Sequence, residues 1–498
     1  MAIAKNEAQE NWENLRREMP LAAAVFEKVR SLKGRFHVPG HQGVGLEPLG
    51  SRWGTAFLDD LTELEGLDNL AVPTAAIAEA QRLAAKTFGA DRSWFLVNGS
   101  TVGLQAALLA VSRMSPRSRQ KIIIGRNAHQ SILTGLVLSG LCPVWVQPEV
   151  DYEFGIATHV TAKAIAQALA DNPDAGAVCI VSPTYYGTTS NVEAIAQLCH
   201  KTNIPLIVDE AHGGHFVAHP CLPQCALAAG ANIVVQSAHK TLGSLTQSAL
   251  LHSQEIPGQT NSNVLEDSLS DNLRLLQSSS PSYLLMTSLD VARSRLQSHG
   301  YQDWHRAIEM AQSLGDHLSK MSNICVLNYP NQDPTRVIIS AIEKGWNGYD
   351  LDEYLDQRGI AVEIGDSRAI GLVITPQTRS QSVDRLIQVI QTLPKAQENA
   401  VKIPYKQRQA RCEFQTVLTP REAWFSTQKS IDIRNAVGEI CAEWVCPYPP
   451  GIPVLLPGEK VTTDALKFLQ TIRAIGGELS GLLDPTFQTI QVVSKRRQ

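Results

Sequence analysis

An α/β fold built on a mostly parallel sheet is predicted by three features of this 498-residue sequence. Between about residues 75 and 250, short apolar runs alternate with helical patterns. Strand–helix–strand units in that rhythm give parallel sheets covered on both faces. The apolar runs also end abruptly in hydroxyl, small or charged residues, and in such sheets ligands lie beyond the carboxyl ends of the strands. From about residue 335 the pattern changes to strand, helix, strand, strand, which predicts a smaller α+β unit.

Taken in order, residues 1–70 form an N-terminal segment whose first twenty residues contain no apolar stretch, so no signal peptide is expected. Residues 71–322 form the large domain. Its strands are predicted at 93–98 (SWFLVN), 121–125 (KIIIG), 143–147 (PVWVQ), 176–182 (GAVCIVS), 205–210 (PLIVDE) and 231–237 (ANIVVQS). The clearest helix is SNVEAIAQLCHKTN, where Ser190 and Glu193 have capping-box spacing and Ile195, Leu198 and Cys199 share a face. Residues 253–270 are polar and predict a loop, followed by helix to about 322. Residues 323–400 form the small α+β domain, with RVIIS, YDLDEYLDQRG, IAVEIG and IGLVITP as its elements. KIPYKQRQAR (402–411) reads as a basic, solvated linker into a final domain, 401–498. There PYPPGIPVLLPGE (447–459) has too many prolines for a helix and must follow a fixed extended path.

Composition narrows the function classes. A charge of −4 gives no global field for nucleic acid or an anionic membrane. No run of about 18 apolar residues is present, so no membrane span is expected. Nine scattered cysteines fit reduced thiols and a cytoplasmic location better than a disulfide framework.

The residues that follow each strand carry the chemistry. After the first strand, Asn98-Gly99-Ser100-Thr101-Val102-Gly103 opens a helix and can cradle a phosphate with free N–H groups and hydroxyls; an ordinary Ser/Thr helix cap would read the same way. After KIIIG comes His129, whose flat ring could stack on a planar ligand. PLIV ends in Asp209, an acid that is costly to bury unless a cation meets it. ANIVVQ ends in Ser237, Ala238, His239 and Lys240. One ligand uses all of these. Pyridoxal phosphate (PLP) has a phosphate, a planar ring, a ring nitrogen that works best protonated, and an aldehyde that condenses with a lysine amine.

The motifs HVPGHQG (37–43), DLTELEGLDNL (60–70), NGSTVG (98–103), RNAHQS (126–131), SPTYYG (182–187), DEAHGGH (209–215), SAHKTLGSLTQ (237–247), SPSYLLMTSLD (280–290) and CAEWVCPYPPGIPVLLPGE (441–459) stand in one order. In that order the chain resembles the Orn/Lys/Arg decarboxylases, in the short form without an N-terminal wing domain and close to the bacterial biosynthetic arginine enzymes. The resemblance implies an aspartate-aminotransferase-like (type I) PLP fold and cytoplasmic polyamine biosynthesis. It also implies a homodimer or dimer of dimers, because HVPGHQG approaches the neighbouring subunit's site in this fold. Residue by residue, it implies that Lys240 is the Schiff-base lysine and Asp209 the partner of the ring nitrogen. His129 would be the stacking ring, and Ser100, Thr101, Ser237 and His239 the phosphate donors. His212 would stand beside the cofactor, and either His212 or Lys240 is the candidate proton donor. The substrate would be arginine, then lysine or ornithine, and the acids positioned for its distal cation are Glu363, Asp366 and Glu443. No metal and no nucleic acid are expected.

Rival readings exist. His212, His215, His219, Cys221 and Cys225 could be a zinc cluster, although their spacing matches no standard pattern. Another reaction on the same cofactor, such as transamination, would need an arginine for the α-carboxylate, and Arg368 is available. A non-catalytic protein retaining the fold is the third.

Overall fold

A computed structural model describes residues 12–116, 118–258, 263–396, 415–449 and 451–495. The basic stretch 402–411 lies outside the described residues. Seven strands form the main sheet: β1 (Arg92–Leu96), β2 (Lys121–Gly125), β3 (Cys142–Val146), β4 (Ala175–Val181), β5 (Leu206–Asp209), β6 (Ile233–Gln236) and β7 (Ala249–Ser253), in the order β1-β7-β6-β5-β4-β2-β3. Only β7 runs against the rest, pairing antiparallel with both β1 and β6. The other six strands therefore point the same way, and their carboxyl ends share one edge.

Alternation along each strand divides the core between the two faces. Ile122 and Ile124 of β2 pack with Ile207, Ile233 and Val235 on one face. Ile123, Val178, Ile180, Val208 and Val234 pack on the other. Helix α1 (Gly99–Met114) lies so close to the first face that a Cβ on Gly103 would meet Leu96 and Val235 at 2.8 and 2.9 Å. Fully burying an aliphatic side chain is worth about 1.5–3 kcal/mol, so this doubly covered sheet is a rigid platform for its loops.

Helix α2 (Gln130–Ser139) follows β2, and α3 (Val192–Lys201) follows β4. The cap of α3 corrects the expectation from spacing. Asn191, not Ser190, accepts from the Ala194 N–H at 3.0 Å. The Ser190 hydroxyl instead accepts from the Val160 N–H, tying the helix start to a neighbouring loop. The predicted polar loop also ends early, since a helix spans Asn263–Leu276. The smaller sheet, Cys325–Val326, Arg336–Ser340, Ile370–Val373 and Ile364–Gly365 in that order, is wholly antiparallel. A C-terminal unit with its own core includes two antiparallel pairs, Thr427–Asp432 with Thr489–Lys495 and Cys446–Tyr448 with Glu478–Ser480.

Candidate active site

The shared strand edge opens into a cavity lined by Ser100, Asn127, His129, Asp209, His212 and Lys240, with Tyr185, Tyr186 and Ile452. Residues from five strand ends meet there because six strands point in one direction.

At one end, α1 begins at Gly99, whose φ of +70° permits the tight turn from β1. No side chain caps this helix start. The Gly99 N–H donates to the Gln247 carbonyl, and the next N–H groups of this turn, with the positive dipole end, offer an anion site. Ser100 Oγ lies 2.9 Å from Ser237 Oγ, so hydroxyls from two strand ends converge at this point. Thr101 is exposed on the same turn. His239 sets its Nδ1 2.9 Å from the Ser248 carbonyl. A carbonyl only accepts, so Nδ1 carries the proton.

In the middle, the His129 Nδ1 accepts from the Ser131 N–H at 3.2 Å and caps α2. Burial and nearby Lys240 lower its pKa to about 4, so the ring facing the cavity is neutral. Asp209 ends β5 and is 4% exposed. Burial raises its pKa to about 6, while Lys240 and the Ala211 N–H pull it down less strongly. Such a carboxyl gains most from a cation brought by a ligand. Lys240 sits in α4 (Ala238–Thr241), immediately after β6. Burial lowers its pKa; Asp209 and Glu363 oppose that, and Arg336 adds to it. Its Nζ lies 3.0 Å from His212 Nε2 and 5.2 Å from the centre of the Tyr185 ring.

The C-terminal unit closes the rim. Arg126 Nη1 donates to the Pro453 carbonyl at 2.8 Å, and Nη2 pairs with Glu459 at 3.1 Å in a buried ion pair. This clamp ties the proline-rich run to the β2 loop. Ile452 thereby enters the cavity lining, and Gly451 passes so near His129 that a Cβ would come within 3.7 Å of its ring.

Two residues here have no counterpart among the residues expected from sequence. Asn127 is buried in the cavity wall with neither amide atom partnered among the described residues. Arg336 is buried and donates to His212 Nδ1 at 3.0 Å. Among the proposed substrate acids, Glu363 is exposed and its charge is felt by Lys240, His239 and Arg336. Asp366 accepts from Tyr186 Oη at 2.7 Å and from the N–H groups of Arg368 and Ala369, which occupies both its oxygens. Glu443 lies outside the cavity lining and accepts from the N–H groups of Leu483 and Gln491, each at 2.9 Å. Arg368 is turned to the Glu153 carbonyl at 2.9 Å.

The residues of the zinc reading point to separate places. His212 faces Lys240, His215 pairs with Asp333, His219 meets His305, and Cys225 lies against Glu210. Among the described residues no group of three His, Cys, Asp or Glu side chains could hold a metal. The donor set fits PLP instead: an uncapped helix start with hydroxyls for the phosphate, a neutral flat ring, a buried acid and a half-buried lysine.

Comparison with known proteins decides the family. Residues 19–334 match the Orn/Lys/Arg decarboxylase major domain, and 404–493 match the Orn/Lys/Arg decarboxylase C-terminal domain. The chain belongs to the Orn/Lys/Arg decarboxylase family. Its members are PLP-dependent enzymes, and this chain is a PLP-dependent amino-acid decarboxylase of that family. It is 34% identical to an arginine decarboxylase of Bacillus subtilis over 494 residues, 96% of this chain and 99% of the relative. It is 33% identical to one from Bacillus anthracis over 494 residues, 96% and 98% of the two chains. Among solved structures, lysine decarboxylase A from Pseudomonas aeruginosa superposes with a TM-score of 0.82 at 20% identity. That match covers 99% of this chain and 82% of the other, and it shows the same fold.

Proposed function

We propose that this chain converts L-arginine to agmatine and carbon dioxide, with lysine or ornithine as the alternative substrates. The observation that carries the reading is a near-full-length likeness to proteins named arginine decarboxylase, joined to a cavity in which Lys240, Asp209 and His212 meet. PLP, when bound, takes up the electrons left as the bond to the carboxylate breaks. Lys240 is the covalent anchor. Asp209 would meet the ring nitrogen and keep it protonated, His129 would stack on the ring, and Ser100, Thr101, Ser237 and His239 would hold the phosphate. Asn127 supplies a further polar contact. Tyr185, Tyr186 and Ile452 line the same cavity.

Glu363 is the acid proposed for the distal cation, since it is exposed and its charge acts on Lys240. Asp366 and Glu443 remain lesser proposals, because backbone and tyrosine donors already occupy them. A guanidinium rewards a planar, two-point carboxylate contact, whereas an ammonium needs only one.

We assign the enzyme to the cytoplasm and to polyamine biosynthesis, as a homodimer or dimer of dimers. Support for assembly lies in the segment around HVPGHQG: Phe36, Val44 and Leu46 are 97%, 74% and 83% exposed. Apolar groups clustered this way mark an interaction surface. Among the described residues no helix is long and apolar enough to cross a membrane. The test is carbon-dioxide release from arginine, lysine and ornithine in parallel, with the amines separated by chromatography. Agmatine as the main product supports the reading. Cadaverine as the main product would replace the substrate but keep the reaction. If none of the three released carbon dioxide while a keto acid accepted an amino group, the decarboxylase reading would fall.

A further inference from the structure

A line of buried groups leads away from Lys240 that the cofactor contacts above do not use. His212 Nε2 lies 3.0 Å from Lys240 Nζ, and His212 Nδ1 lies 3.0 Å from Arg336 Nη2. Arg336 Nε lies 3.8 Å from Asp333 Oδ2, and the same oxygen lies 3.1 Å from His215 Nε2. Asp333 is further fixed by accepting the Thr335 N–H and hydroxyl at 2.9 and 2.7 Å. His212, His215, Asp333 and Arg336 are all buried.

The chemistry of these groups permits one arrangement of protons. A guanidinium has donors only, so the His212 Nδ1 must accept. The proton of the neutral ring then sits on Nε2 and points at Lys240 Nζ. An ammonium has no lone pair, so the amine that accepts this proton is neutral. An imidazolium is excluded, because its Nδ1–H would face the guanidinium. We propose that Arg336, in ionic contact with Asp333, is a positioning residue that fixes His212 as the Nε2–H imidazole and so keeps the Lys240 amine neutral and aimed for condensation with the cofactor's aldehyde. This rests on the reading of Lys240 as the anchor.

The groups facing Lys240 divide by sign. Asp209 from the end of β5 and Glu363 from the small domain favour the ammonium; Arg336, also from the small domain, opposes it. His129 and His212 lie near it on two loops, His239 precedes it in α4, and Tyr185 presents its ring. Burial, followed by Lys240 and Arg336, holds the His212 pKa well below its ordinary value, which agrees with a neutral ring.

A role for each nitrogen follows in turnover. The neutral ring has one proton, and losing it would leave an imidazolate. His212 is therefore not the donor that replaces the carboxylate. The proton that replaces the carboxylate as carbon dioxide leaves is delivered from solvent by a group other than the His212 ring. Solvent supplies one proton per turnover.

The test uses apoprotein carrying 15N-labelled histidine, with His212 assigned by its loss in His212→Gln. The expected spectrum has an unprotonated Nδ1 and a protonated Nε2 that persist from pH 6 to 9. The rate of PLP capture, followed by the visible band of the lysine-bound cofactor, is measured against pH in parallel. In Arg336→Leu the midpoint should rise by at least one pH unit, and Arg336→Lys, which keeps a donor, should restore most of it. A protonated Nδ1 or averaged tautomers in the wild type would overturn the inference even if Arg336→Leu fails to fold. An unchanged midpoint in a folded Arg336→Leu would do the same. If the cofactor is found on another lysine, the anchor reading fails instead, and the spectrum of His212 is unaffected.

Discussion

Asp209→Asn should stabilise the empty protein and cripple the loaded one. In the apoprotein the Asp209 carboxyl is raised from 3.8 to about 6 because burial penalises its charge. Between those values the folded chain holds a proton that the unfolded chain has released. Stability attributable to this group therefore falls as pH rises through that window. At about 1.4 kcal/mol per pH unit, the penalty reaches about 3 kcal/mol above pH 6. Asparagine keeps the oxygen that accepts the Ala211 N–H at 3.2 Å but carries no charge at any pH. Unfolding entropy of about 2.1 cal/mol/K per residue makes 3 kcal/mol equal to a Tm rise of about 3 °C for a chain of this length. Differential scanning calorimetry of apoprotein should show that rise at pH 8 and none at pH 4. With PLP bound the order should reverse, because the variant lacks the anion that meets the ring nitrogen. Losing one partner of a buried pair costs about 3–5 kcal/mol, so kcat should fall at least about a hundredfold. A Tm difference that does not change between pH 4 and 8, or a turnover near wild type, would refute the role given to Asp209.

Three further outcomes follow from the site. Asn127→Ala should weaken PLP binding about tenfold in an equilibrium titration while leaving the Tm of apoprotein unchanged, because the amide has no partner to lose among the described residues. Glu363→Gln should raise KM for arginine about three- to tenfold with little change in kcat, since it removes one charged contact to the remote end of the substrate. Arg126→Met breaks the buried pair with Glu459, which should lower the Tm and expose the proline-rich run to limited proteolysis ahead of the rest of the chain.

Much of the site was legible because a parallel sheet concentrates function at its strand ends. Asp209 stands directly after an apolar run and Lys240 just beyond another, where a charge has few structural uses. His129 and the Ser100 turn follow the same rule. Asn127 stands two residues before His129, but an asparagine in a loop reads as turn chemistry until its amide is found facing a cavity. Arg336 reaches His212 across 124 residues of sequence, and only the docking of the small domain creates that contact. Glu443 shows the opposite failure. It stands in the motif that closes the rim, yet its carboxylate is turned to the backbone of Leu483 and Gln491. The cap of α3 is ambiguous in the sequence because Ser190 and Asn191 are both good caps, and the fold selects Asn191 because the Val160 N–H occupies the serine hydroxyl.

The placement of the cofactor is tested most directly by reducing the purified holoenzyme with borohydride and mapping its peptides. The account predicts loss of the visible band and a pyridoxyl group on Lys240, with none on the same peptide from Lys240→Ala. A pyridoxyl group on any other lysine, or a visible band that survives in Lys240→Ala, would contradict it.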